Sequence, residues 1–133
     1  MKRILTLFFA LLTVFSLVGC GNNTEESLQL SVDSVKKITI LYGNDGSQVE
    51  ITDEETIAAI TENFNTLILN RDKKIDSTGW AYSVRWYDAD GNELTKISCF
   101  GAQSDSITRD GYVWKIASGS IDVDLLNDLL KIQ

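Results

Sequence analysis

The two cysteines are the most nucleophilic side chains in the chain, and their neighbours assign them different roles. Cys20 closes the run Leu17-Val18-Gly19-Cys20, with an aliphatic residue three places before the thiol and a small residue directly before it. This is the pattern of a lipobox. A peptidase cutting ahead of Cys20 needs a small side chain at Gly19, and lipid transfer needs a thiol at the membrane surface. The upstream segment agrees. Lys2 and Arg3 give a basic start, and Ile4 to Val18 is apolar except for Thr6, Thr13 and Ser16. A membrane span needs about 20 residues, so this stretch is short for one and suits a secretory signal. Residues 1–19 are therefore expected to be a lipoprotein signal peptide. Cys20 is expected to carry a diacylglycerol, with palmitate-type acyl chains. Each buried methylene contributes about 0.8 kcal/mol, so two acyl chains anchor stably. The expected address is the outer face of the cell membrane.

With Cys20 lipidated, Cys99 has no disulfide partner. Its neighbours Ile97, Ser98 and Phe100 read as strand, and a lone cysteine in a strand is expected to be buried and inert. The chain has no histidine. That removes the Ser-His-Asp and Cys-His nucleophile systems and the histidine-bearing zinc sites, and two cysteines cannot build a four-cysteine site. No glycine-rich phosphate loop appears. No metal site and no cofactor are expected. Asp88-Ala89-Asp90-Gly91-Asn92-Glu93 resembles a calcium loop at first sight. Aligning Gly91 with the invariant glycine of an EF-hand, however, puts Trp86 where the first carboxylate belongs. The run reads better as a hairpin turn. The 19 acidic residues leave a carboxylate pair for hydrolysis open, although a domain this small seldom builds a deep cleft.

The formal net charge is −7, and removal of Lys2 and Arg3 with the signal makes the remainder more acidic. Such a surface repels nucleic acid and anionic lipid. The aromatic residues Trp80, Tyr82, Trp86, Tyr87, Tyr112 and Trp114 gather in the hairpin region. Along Trp80–Tyr87, the face with Trp80, Tyr82, Val84 and Trp86 is expected to pack under helices. The opposite face carries Arg85 and Tyr87, residue types favoured at binding hot spots. Arg85 and Tyr87 are the candidate partner surface.

The elements that would position these groups follow from periodicity. Residues 20–34 read as the lipidated cysteine and a polar, flexible tether, with Leu28, Leu30 and Val32 alternating as an edge strand. Residues 35–133 read as one domain. Ile38, Ile40 and Tyr42 share one face of a strand, Gly43-Asn44-Asp45-Gly46 turns the chain, and Val49 and Ile51 resume the alternation. Thr52 and Glu55 suggest a capping box for a helix over about 53–66, with Ile57, Ile60, Phe64 and Leu67 on one face. Strands follow at 67–75, 80–87, 93–100, 105–109 and 112–116, the last two joined through Asp110-Gly111. Asp122 caps a final helix bearing Leu125, Leu126, Leu129 and Leu130. The order β-β-α-β-β-β-β-β-α predicts an α+β domain: an antiparallel sheet of hairpins with two helices covering one face.

The segments Ile51–Glu55, Gly79–Gly91 and Asp110-Gly111-Tyr112 carry a resemblance that spans roughly residues 36–130. They resemble small lipoproteins of low-GC Gram-positive bacteria that carry a domain of unknown function. They are also similar to extracellular modules of antibiotic-sensor metallopeptidase-like membrane proteins. The resemblance implies an extracytoplasmic sensing or interaction module and brings no catalytic residues with it. The expected function is thus a lipid-anchored, non-enzymatic binding module. Its partners would be the membrane, through lipid on Cys20, and a protein or envelope component, with no nucleic acid. A small carboxylate-dependent hydrolase and an inhibitor or immunity lipoprotein are the alternatives.

Overall fold

The computed structural model describes residues 25–75, 79–100 and 105–131. The signal segment and Cys20 lie outside the described residues. Within them, eight strands form one antiparallel sheet and two helices pack on it, as the α+β reading predicts. The strands are β1 (Glu25–Glu26), β2 (Lys37–Tyr42), β3 (Gln48–Ile51), β4 (Ile68–Lys74), β5 (Tyr82–Tyr87), β6 (Glu93–Cys99), β7 (Ser106–Arg109) and β8 (Tyr112–Ser118). The helices are α1 (Glu54–Asn65) and α2 (Val123–Leu130). The spatial order is β1-β4-β8-β7-β6-β5-β2-β3. No helix among the described residues is long and apolar enough to cross a membrane.

Hairpin chemistry sets the local connections. Asp110 and Gly111 both take positive φ, 52° and 82°, as a two-residue turn of the favoured hand requires. Asp88 holds the β5–β6 turn: its Oδ1 accepts from the backbone N–H groups of Asp90 and Asn92, both at 2.9 Å. These hydrogen bonds, from Asn92 first, hold the Asp88 carboxyl below its ordinary pKa. The run that resembles calcium ligands is therefore committed to a turn.

Alternation then divides the sheet into two faces. Ile38 pairs with Trp86 and Ile40 with Val84, while Val84 pairs with Ile97 and Tyr82 with Cys99. These residues are buried and form the core with Ile57, Ile60 and Phe64 of α1 and Leu126 of α2. Phe64 meets Trp86 edge to face at 4.9 Å between ring centres. The Trp86 indole N–H donates to Thr61 Oγ1 at 3.1 Å, so the largest core side chain is also satisfied as a donor. The Tyr82 hydroxyl donates to Asn127 of α2. Both helices therefore lie on one face. Trp80 departs from the predicted pattern: it precedes β5, is 38% exposed, and covers Gly43, where an added Cβ would lie 2.4 Å from the Trp80 carbonyl oxygen.

The cap of α1 is a second correction. Asp53, not Thr52, takes the N-cap position, and its carboxylate accepts from the Thr56 N–H at 2.8 Å. That bond also lowers the Asp53 pKa. An aspartate one residue closer to the first turn supplies the same oxygen with added charge at the positive end of the helix dipole. Asp122 caps α2 as read, accepting from Leu125 N–H at 3.0 Å.

The N-terminal segment departs most. Leu28, Leu30 and Val32 do not form a strand. Instead Glu25 and Glu26 pair with Asn70 and Leu69 at the sheet edge, and Val32–Ser34 make a 3₁₀ turn. Leu28 and Leu30 pack on the core. Asn65 fixes the backbone of Leu30 from both sides, donating to its carbonyl at 2.8 Å and accepting from its N–H at 2.9 Å. The folded unit thus begins within the stretch read as tether.

Candidate functional site

Arg85 and Tyr87 stand on the face of β5 turned away from both helices, two residues apart and therefore on the same side of the strand. The register brings neighbours to them that lie far off in sequence. Thr39 and Lys96 flank Arg85 on β2 and β6, and Lys37 and Glu93 flank Tyr87. A register shift between Trp86 and Tyr87 displaces the end of β5 against β6. Lys37 Nζ lies 4.7 Å from the centre of the Tyr87 ring and 3.8 Å from Glu50. Arg85 lies 3.8 Å from Glu93, with both side chains about two-fifths exposed. At such exposure the pair contributes little to stability, about 0–1 kcal/mol. It leaves the guanidinium available to exchange partners.

The helix-free face is not open along its whole length. Ser83 and Ser98, opposite each other on β5 and β6, are buried, and the Ser83 hydroxyl has no partner among the described residues. The accessible part is the end of the sheet formed by Lys37, Arg85, Tyr87, Glu93, Leu94 and Lys96.

A cleft of about 440 Å³ continues this surface. Its banks are Glu93–Lys96 and Ser98 of β6 on one side and Thr108–Gly111 of the β7–β8 hairpin on the other, with Ile75 at its end. It exists because β6 and β7 pair only at Ser98–Thr108 and Cys99–Ile107, after which the strands part. Arg109, on the hairpin bank, is turned inward. It binds Glu26 of β1 at 2.9 Å, lies 4.4 Å over the Trp114 ring, and sits 3.7 Å from Asp110. Glu93 and Asp110, the two acids beside the cleft, each lie next to a guanidinium.

Cys99 is fully buried, and burial pushes its thiol up to about 12. That setting is the inert one read from its neighbours. Among the described residues no three histidine, cysteine or acidic side chains converge where a metal ion would be held. Sequence reasoning placed Arg85 and Tyr87 on the face away from the helices but did not bring Lys37, Lys96, Leu94 or the cleft beside them. Strand pairing alone brings those residues together, and only the alternation within each strand hinted at their face. Compared with family models, curated proteins and solved structures, the chain matches none of them.

Proposed function

We propose that the chain is a lipid-anchored extracytoplasmic binding module, held to the outer face of the cell membrane through Cys20. It engages a protein or envelope component through the surface around Arg85 and Tyr87. The observation that carries this reading is the division of one sheet: both helices cover the Tyr82/Trp86 face, and the Arg85/Tyr87 face keeps an accessible end. An arginine and a tyrosine on an accessible sheet surface are residue types enriched at binding hot spots. Carboxylate-dependent hydrolysis is less well supported, because Glu93 and Asp110, the two acids lining the cleft, each lie beside an arginine.

The test is a crosslinking capture from native membranes with the wild-type chain and an Arg85→Ala/Tyr87→Ala double variant. A specific partner held by wild type and lost by the variant supports the surface; equal capture by both removes it. In parallel, mass spectrometry of the mature N-terminal peptide is expected to find a diacylglycerol on Cys20; an unmodified Cys20 would sink the anchor.

A further inference from the structure

A strand in the interior of a sheet normally has a neighbour on each side over most of its length, because every unpaired backbone N–H and C=O shielded from water costs free energy. β6 breaks this pattern. It pairs with β5 from Glu93–Tyr87 to Cys99–Tyr82, interrupted only by the register shift at Leu94. On the other side it pairs with β7 only at Ser98 and Cys99. No strand among the described residues pairs with Glu93–Ile97 on that side. At about 3.3 Å per residue this is an open edge of roughly 13–17 Å, the length of a short strand. The cleft runs along this edge, so the sheet has a slot and not merely a frayed end.

The side chains at the slot suit a polypeptide. Leu94 and Ile75 line it and are 41% and 43% exposed, making them two of the four exposed large hydrophobic residues of the described chain. Lys96, also exposed, forms no ion pair among the described residues, whereas Glu93 lies 3.8 Å from Arg85 and Asp110 shares Arg109 with Glu26. Lys96 is therefore the cation in the slot lining that a partner's carboxylate can meet without displacing an acid of this chain.

We propose that the cleft beside β6 receives an extended segment of a partner protein, which adds as a strand along Glu93–Ile97 and places a carboxylate against Lys96. Main-chain hydrogen bonds to β6 supply affinity, and Leu94, Ile75 and Lys96 supply selectivity. This rests on reading the domain as a binding module and adds the partner's conformation and charge.

The test uses the full-length lipoprotein in detergent micelles and peptides selected on it from a displayed library of random heptapeptides. In the free protein, NMR hydrogen exchange is expected to show slot-facing amides of Glu93–Lys96 exchanging far faster than that of Trp86. Selected peptides are expected to combine an acidic residue with β-branched ones and to shift the Leu94, Lys96 and Thr108 amides. Methylating alternate peptide nitrogens is expected to lower affinity about tenfold in one phase of the alternation and little in the other, the loss of one or two main-chain bonds. Lys96→Glu, at an exposed position, is expected to weaken acidic peptides about tenfold. Equal binding by both methylated forms, shifts confined to other surfaces, or selection yielding no binder overturns the proposal. So does slow exchange at the slot-facing amides of Glu93–Lys96 in the free protein, whether the slot is filled by this chain or by a second copy. Peptides that still bind Tyr87→Ala, which leaves the Arg85–Glu93 pair in place, separate the slot from that face. A native partner lost from the Arg85→Ala/Tyr87→Ala variant while no peptide binds keeps the face and rejects the slot.

Discussion

Trp86 and Tyr87 are adjacent on one strand and share one backbone, yet they belong to opposite economies of the fold. Trp86 is fully buried, packed edge to face on Phe64 and hydrogen-bonded to Thr61. Tyr87 is half-buried, with the Lys37 ammonium over its ring. The helix-covered face is built from contacts that cannot be exchanged. The opposite face is held by exposed ion pairs and a cation over an aromatic ring, which rearrange cheaply. The difference teaches that rigid packing and exchangeable surface contacts can alternate along a strand at the spacing of a single residue.

That separation can be broken in graded steps. Trp86→Ala is expected to cost about 3–5 kcal/mol by removing the largest core side chain, measured by urea denaturation; a loss below 1 kcal/mol would mean the helices do not rest on this face. Thr61→Val leaves the Trp86 indole N–H buried without an acceptor and is expected to cost about 1–3 kcal/mol in the same assay. Asp53→Ala is expected to cost about 1 kcal/mol, while Thr52→Ala stays within about 0.5 kcal/mol, a contrast that reads out directly which residue caps α1. Arg85→Ala/Tyr87→Ala is expected to change stability least, within about 1 kcal/mol, while abolishing partner capture. A large loss of stability would place those side chains in the structural half of the comparison.

The covered face also has an alkaline signature. Burial raises the pKa of both Cys99 and Tyr82 above their unfolded values. The unfolded chain therefore loses these protons at lower pH than the folded one. Their contribution is fully present below the unfolded thiol pKa and declines as pH rises toward about 12, the folded value for Cys99. Thermal melts from pH 7 to pH 11 are expected to fall in midpoint. In the native protein at pH 8, Cys99 is expected to resist alkylation by iodoacetamide, whereas in urea it reacts.

Much of the covered face was legible in the sequence, and the reason is local. Ile57, Ile60 and Phe64 recur at the helical period, and Tyr82, Val84 and Trp86 alternate, so each element declares its buried side. Asp110-Gly111 declares its turn by the positive φ it tolerates. The open face was half legible. Arg85 and Tyr87 follow from alternation on β5, but Lys37 and Lys96 join them only through pairing across three strands. The cleft was not legible at all, because nothing in Glu93–Lys96 or Thr108–Gly111 marks where two strands part. β1 was missed for a related reason. A charged dipeptide has no hydrophobic period, and its place at the edge comes from pairing with β4 and from Arg109 reaching Glu26.

Arg109 also determines how the domain would respond to force. In the anchored reading, any drag on the domain is transmitted through the few residues between Cys20 and Glu25. Tension there loads β1 first, where two residue pairs with β4 and the Arg109–Glu26 bond act together. The next restraint along the chain is the two-sided grip of Asn65 on Leu30. The sheet proper starts only at Lys37. Pulling at the lipid would thus lengthen the leash stepwise, β1 first and the Leu30 clasp second, before β2 is drawn from the sheet. In that reading the N-terminal edge would act as a mechanical fuse, giving the domain extra reach from the membrane before the Arg85/Tyr87 face is disturbed.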